Sequence, residues 1–187
     1  GTLMAFQPLF ISWSGKGEVK TLTKAEWLGG IPLLGGEALL CAFYLNELLM
    51  KLLPREDAHE ILFDKYAETI RHFSNGGSFS PVLRRFEKFF LKELGYELVL
   101  DHDASTGQKI DPLKDYTYDP ERGPMEARHS GLEPIISGRT LLSLAQDELE
   151  GNKILAEARA LMRLLINHRL DSRPLNSRKV FLELLEL

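Results

Sequence analysis

The chain has 187 residues, 44% of them hydrophobic and 27% charged, with a net charge of −4. That is the composition of an ordinary folded domain with enough length to bury a core. It excludes a membrane-spanning helix, since no apolar run of about 18 residues occurs, and an internal disulfide or cysteine-rich zinc site, since Cys41 is the only cysteine.

The first structural signal is at the front. Residues 6–13, "FQPLFISW", carry Phe10 and Trp13 in a dense apolar run suited to a pleated surface. "SGKG" supplies Gly15 and Gly17 for a reversal, and "VKTLTKAEW" then alternates, with Val19, Thr21 and Thr23 on one face and Lys20, Leu22 and Lys24 on the other. The spacing predicts a β-hairpin. One hairpin cannot bury a core of its own, so it must dock elsewhere or belong to a larger β-unit. The "GKG" turn is not a phosphate loop, because Phe10 and Gly17 stand where a glycine and a hydroxyl residue are needed. "GGIPLLGG" reads as a linker.

Helical periodicity follows. From Glu37 to Leu53 the set Leu40, Tyr44, Leu48 and Leu52 recurs every fourth residue, and Pro54 stops it. Asp57 with Glu60 resembles a capping box opening a second helix, whose predicted stripe is Leu62, Tyr66, Ile70 and Phe73. Ser80 and Pro81 are placed to start a third, with Leu83, Phe86, Phe90 and Leu94 inward and Gly95 as the stop. Residues 96–137 turn rich in proline, glycine and aspartate. "YELVL" is expected as a strand there, and "DYTYDPERGPMEA" as an exposed hairpin or long loop. Helices resume over 140–149, from Asn152 to Leu170 and from Arg178 to Leu187. The expected class is mainly α: a helical domain over 31–187 with an irregular β insertion near 96–137, preceded by the hairpin in 1–30.

Two basic stretches stand out against the acidic total. Residues 81–93 are net +2 and residues 163–180 net +4. In the first, Arg84, Arg85 and Lys88 lie beside Phe89, a cation cluster next to aromatic surface. Such a surface suits an acidic, hydrophobic peptide, because a guanidinium clamps a carboxylate through two hydrogen bonds; an ordinary solvated helix face is the alternative. The second stretch suits phosphates, which basic residues grip without reading sequence. The "DHD" run, Asp101 to Asp103, offers metal-ligand chemistry, but three consecutive strand residues cannot converge, so a polar strand end is the favoured reading. Cys41, among leucines, reads as a small inert hydrophobe.

Five segments in order, "QPLFISWSGKGEVKTLTKAE", "YLNELLMKLL", "LFDKYAETI", "VLRRFEKFFLKELGY" and "RPLNSRKVFLELL", resemble the RecO family of bacterial recombination mediators. Members begin with a five-stranded OB-fold followed by a helical domain, which implies that residues 1–30 are the last part of that barrel and that the chain opens partway through it. The resemblance implies a cytoplasmic, nucleoid-associated protein without enzymatic activity or cofactor. Such a protein binds single- and double-stranded DNA, anneals complementary strands and joins RecR. It thereby helps RecA replace single-strand-binding protein on DNA. It also implies capture of that protein's acidic C-terminal tail by Arg84, with Arg85, Lys88 and Phe89 beside it. DNA contacts are expected at Lys16, Lys20 and Lys24 on the hairpin and at Arg169, Arg173, Arg178 and Lys179 in the tail. Many relatives carry a four-cysteine zinc module after the third helix; "LDHDASTGQKIDP" has no cysteine, so zinc is not expected. A helical protein-interaction module without nucleic-acid binding is the alternative.

Overall fold

The computed structural model describes residues 4–55, 57–127, 134–170 and 173–177. It opens on the expected hairpin, β1 (Leu9–Ser14) against β2 (Thr21–Trp27), antiparallel, with Leu9 opposite Trp27 and a bulge between Ser12 and Trp13. Both strands are largely exposed, so Phe10, Trp13, Val19 and Trp27 stand in solvent. Its tether to the helices is short: Gln7 donates its side-chain N–H to the Ile31 carbonyl at 2.9 Å, and Phe6 meets Phe43 edge-on at 5.1 Å.

Five helices follow among the described residues: α1 (Gly36–Leu52), α2 (Glu60–Ser74), α3 (Phe79–Glu93), α4 (Gly138–Gln146) and α5 (Asn152–Arg169). The domain is mainly α, as the periodicity predicts. Its centre is aromatic. Phe86 and Phe90 of α3 stack at 6.1 Å, Tyr66 of α2 meets Phe86 edge-on, and Leu45, Leu141 and Leu161 close around them with less than 2% exposure. Truncating any of these rings would cost about 3–5 kcal/mol by loss of transfer energy and the cavity left behind.

Local details correct the sequence reading. The buried residues of α1 are Ala38, Ala42, Leu45 and Leu48, so most of the Leu40–Tyr44 side of the helix is only half-buried. Asp57 does not cap α2; the N-cap position is His59, without a side-chain bond. Ser80 is not the N-cap of α3; Ser78 holds that position, without a side-chain bond, and the helix begins at Phe79, which packs edge-on against Phe73 at 5.5 Å. Gly95 does end that helix, with φ +85°.

"YELVL" is not a strand. The Val99 carbonyl accepts from the Tyr118 hydroxyl at 3.1 Å, a side-chain partner instead of a ladder. The small sheet lies further on, with β3 (Asp115–Asp119) between β4 (Gly123–Glu126) and β5 (Ile136–Ser137), all antiparallel. Its centre is not exposed: Tyr116, Thr117 and Tyr118 are buried. Asp103 explains how the preceding loop is held, since its carboxylate accepts backbone N–H groups of Ser105, Thr106 and Glu126 at 2.7–2.9 Å. At the sheet's end Ser137 caps α4, and Glu157 of α5 accepts from the Ser137 and Thr140 hydroxyls, both at 2.6 Å. The last predicted helix, from Arg178, lies outside the described residues apart from its approach.

Candidate functional site

Helices α1, α3 and α5 do not close completely along one side. Leu40, Cys41 and Tyr44 of α1, Leu83 of α3, Ile166 of α5 and Leu175 of the following segment leave a cleft of about 350 Å³. That volume is in the range of specific ligand sites. Its walls are mainly apolar and half-buried, while its charged groups are Arg84, Arg159 and Arg163 against Glu37 and Glu87. Arg159, Arg163 and Asn167 recur at four-residue spacing on α5 and are exposed, so they form one polar rim.

At the floor sits a polar triad. Arg84 donates through one terminal nitrogen to Glu87 Oε1 at 2.6 Å, and the Tyr44 hydroxyl donates to the same oxygen at 2.5 Å. Arg84 and Glu87 have side-chain exposures of 8% and 1%. Burial holds the Glu87 carboxyl above its usual range, against the opposing pull of Arg84 and Tyr44. Burial, then the neighbouring Glu87, push the Tyr44 hydroxyl well up. Cys41, beside them, is pushed up to about 11, chiefly by burial and then by Glu37; it is a thiol at neutral pH, not a nucleophile. Two buried atoms of the triad, Arg84 Nε and Glu87 Oε2, have no hydrogen-bond partner among the described residues. Buried polar atoms of this kind are costly unless a ligand or water meets them.

The other residues expected beside Arg84 lie elsewhere. Arg85 donates twice to the Asp147 carbonyl, at 3.0 and 2.8 Å, and Lys88 donates to the Leu144 and Ala145 carbonyls and pairs with Asp147 at 2.7 Å. Both cations therefore cap the C-terminus of α4, where the last carbonyls lack helical partners and Asp147 takes a left-handed turn at φ 61°. Phe89 packs half-buried against the core. Sequence reading singled out Arg84 as a peptide-binding candidate but missed Arg159 and the apolar walls. The four-residue run Arg159, Arg163, Asn167, off the apolar stripe of α5, was the available signal.

The cleft's outer wall depends on Glu47. Its carboxylate accepts the backbone N–H groups of Asn176 and Ser177, both at 2.8 Å, and the Ser177 hydroxyl at 2.7 Å. Lys51 pairs with it at 2.9 Å and also reaches the Pro174 carbonyl. Burial would raise the Glu47 pKa, but these hydrogen bonds outweigh it and hold the group at about 2. A depressed carboxylate stabilises the fold above its unfolded pKa and loses that effect as pH falls through the folded value. Comparing the native protein with Glu47→Gln by urea unfolding should show a difference of about 1–3 kcal/mol at pH 7 that disappears between about pH 4.5 and 2. A difference independent of pH would refute this role.

The basic positions expected to meet phosphates are dispersed. Lys16, Lys20 and Lys24 are exposed on the hairpin, with Lys24 paired to Glu26 at 2.9 Å and near the Phe10 ring. Arg169 is engaged within the fold: it stacks on Tyr96 at 3.8 Å and pairs with Glu121 at 3.0 Å. Arg173 folds back to the Leu170 carbonyl. Arg178 and Lys179 lie outside the described residues. Among the described residues no group of three His, Cys, Asp or Glu side chains converges as a metal site, and no helix is long and apolar enough to cross a membrane. Asp101 and His102 pair with each other at 3.0 Å, while Asp103 is spent on the loop.

Residues 34–179 match the family model "Recombination protein O C terminal". The chain is 49% identical over 189 residues to the DNA repair protein RecO of Aromatoleum aromaticum, covering all of this chain and 78% of that protein. It is 51% identical over 191 residues to the DNA repair protein RecO of Dechloromonas aromatica, again over all of this chain and 78% of the relative. The corresponding protein of an Azoarcus species is 49% identical, with 79% of its length covered. With a family model spanning most of the helical region and relatives at this identity over the whole chain, the chain belongs to the RecO family.

Proposed function

We propose that this protein acts in DNA repair and homologous recombination as a non-enzymatic mediator. It binds single- and double-stranded DNA, promotes annealing and, with RecR, assists loading of RecA onto DNA covered by single-strand-binding protein. Family membership supports the repair role. The observation that carries the mechanism is the cleft between α1, α3 and α5: apolar walls with three arginines at floor and rim. An acidic peptide ending in an apolar residue matches it, because the side chain enters the walls while carboxylates meet the guanidiniums. Its occupant in this reading is the acidic, phenylalanine-ended tail of single-strand-binding protein. Handing a strand from that protein to RecA needs a hold on the first and proximity to the second; it requires no covalent step.

The hairpin is read as the final part of an OB-fold. Its exposed Trp13, Trp27 and Phe10 suit packing by further strands or stacking on bases. Its lysines, Lys16, Lys20 and Lys24, neutralise phosphates.

Titration of a fluorescent tail peptide tests this reading. Micromolar binding, about −8 kcal/mol, lost when the terminal phenylalanine is replaced by glutamate, is the expected result. No binding at low salt would overturn it. The net charge of −4 favours a second reading, a protein-interaction module without DNA binding of its own. DNA affinity that falls steeply with salt would exclude it.

A further inference from the structure

The triad at the cleft floor does more than present a cation. Arg84 already has a carboxylate, Glu87, at 2.6 Å, and both side chains are removed from water. A second carboxylate reaching Arg84 from the cleft would leave two negative charges sharing one buried guanidinium. Like charges in a desolvated site cannot both persist at little cost; one of them takes a proton. The entering group reaches Arg84 with the exposed Arg159 and Arg163 beside it, whereas Glu87 is enclosed. Glu87 is therefore the group that yields.

We propose that Glu87 is a built-in competitor for Arg84, and that entry of a ligand carboxylate is coupled to protonation of Glu87. The inference rests on the peptide reading of the cleft. Two geometric observations support it. Glu87 Oε1 holds both hydrogen bonds, from Arg84 and Tyr44, while Oε2 has no partner among the described residues and is free to receive a proton. Arg84 Nε is likewise buried and unpartnered among the described residues, so the guanidinium has donor capacity that Glu87 does not use. Burial, which already raises Glu87 above the usual carboxylate range, prepares it for the change.

The other groups around the site are Glu37, Cys41 and Tyr44 on α1, Arg84 on α3, and Arg159 and Arg163 on α5. The tyrosine and cysteine are both pushed upward, the cysteine to about 11, so neither changes charge near neutrality. Arginines do not titrate there either. Glu37 is exposed at the helix start.

Isothermal titration of the full chain with the phenylalanine-ended acidic tail peptide tests the coupling. It should be run between pH 6 and 8 in buffers of different ionisation enthalpy. Uptake of up to one proton per peptide is expected, with affinity rising as pH falls by up to about tenfold per unit. In Glu87→Gln, which keeps the shape and a carbonyl acceptor for Tyr44, the peptide should bind more tightly and without proton uptake. If the peptide binds the native protein with no proton uptake at any pH, the coupling is refuted and the peptide reading stands. If it does not bind at all, both fall. Because the buffer comparison uses the native protein, the outcome does not depend on whether Glu87→Gln folds.

Discussion

The Arg84→Ala protein should be less stable than its parent by about 3–5 kcal/mol, read as a lowered urea midpoint. Among the described residues, alanine removes the one cation bonded to Glu87, a carboxylate with 1% side-chain exposure, and leaves it the Tyr44 hydroxyl. Part of that loss is avoided if Glu87 takes a proton, so the deficit should shrink as pH is lowered. The companion Arg84→Met with Glu87→Leu removes both charges while filling similar volume. It should recover most of the stability, since replacing a buried pair by apolar groups is often neutral. A single Arg84→Ala with unchanged stability would mean that Glu87 is solvated in the folded protein, against its burial here. The same geometry makes Arg84→Glu a poor probe of binding: it would place a third carboxylate beside Glu87 and Glu37, and lost binding could not be separated from damage to the floor.

Reversing the rim is the cleaner test of the site. Arg159→Glu with Arg163→Glu should weaken capture of the acidic tail peptide roughly 100-fold, about 3 kcal/mol, because two charge-assisted contacts become repulsions. Both side chains are exposed on α5. Stability should therefore change by no more than about 1 kcal/mol. Binding measured by fluorescence anisotropy, beside a melting curve, separates the two effects. Full affinity in the double variant would move the peptide away from this cleft.

How far the sequence carried depends on the range of the interactions. The helix faces of α2 and α5 were legible because Leu62, Ile70 and Phe73, or Leu161 and Leu165, mark one side at helical spacing. The opening hairpin was legible from alternation and the Gly15 turn, which takes φ 119°. The "YELVL" strand failed because alternation shows that a segment is extended, not that a neighbour is present to pair with it. The exposed reading of "DYTYDPERGPMEA" failed because turn residues and prolines surround two tyrosines, Tyr116 and Tyr118, that join the domain core.

At the site, sequence alone determined that Arg84, Arg85 and Lys88 share a short basic stretch on one helix. Three neighbouring cations met three different surroundings. Arg84 is buried against Glu87 in the cleft lining, while Arg85 and Lys88 meet the carbonyl end of α4, some sixty residues later in the chain. The residue types fix which charges are available and which helix carries them. Only the packing of α1, α3, α4 and α5 decides which cation is buried with a carboxylate, which caps a helix and which cleft is left open, because those choices depend on partners distant in sequence and on which groups lose water.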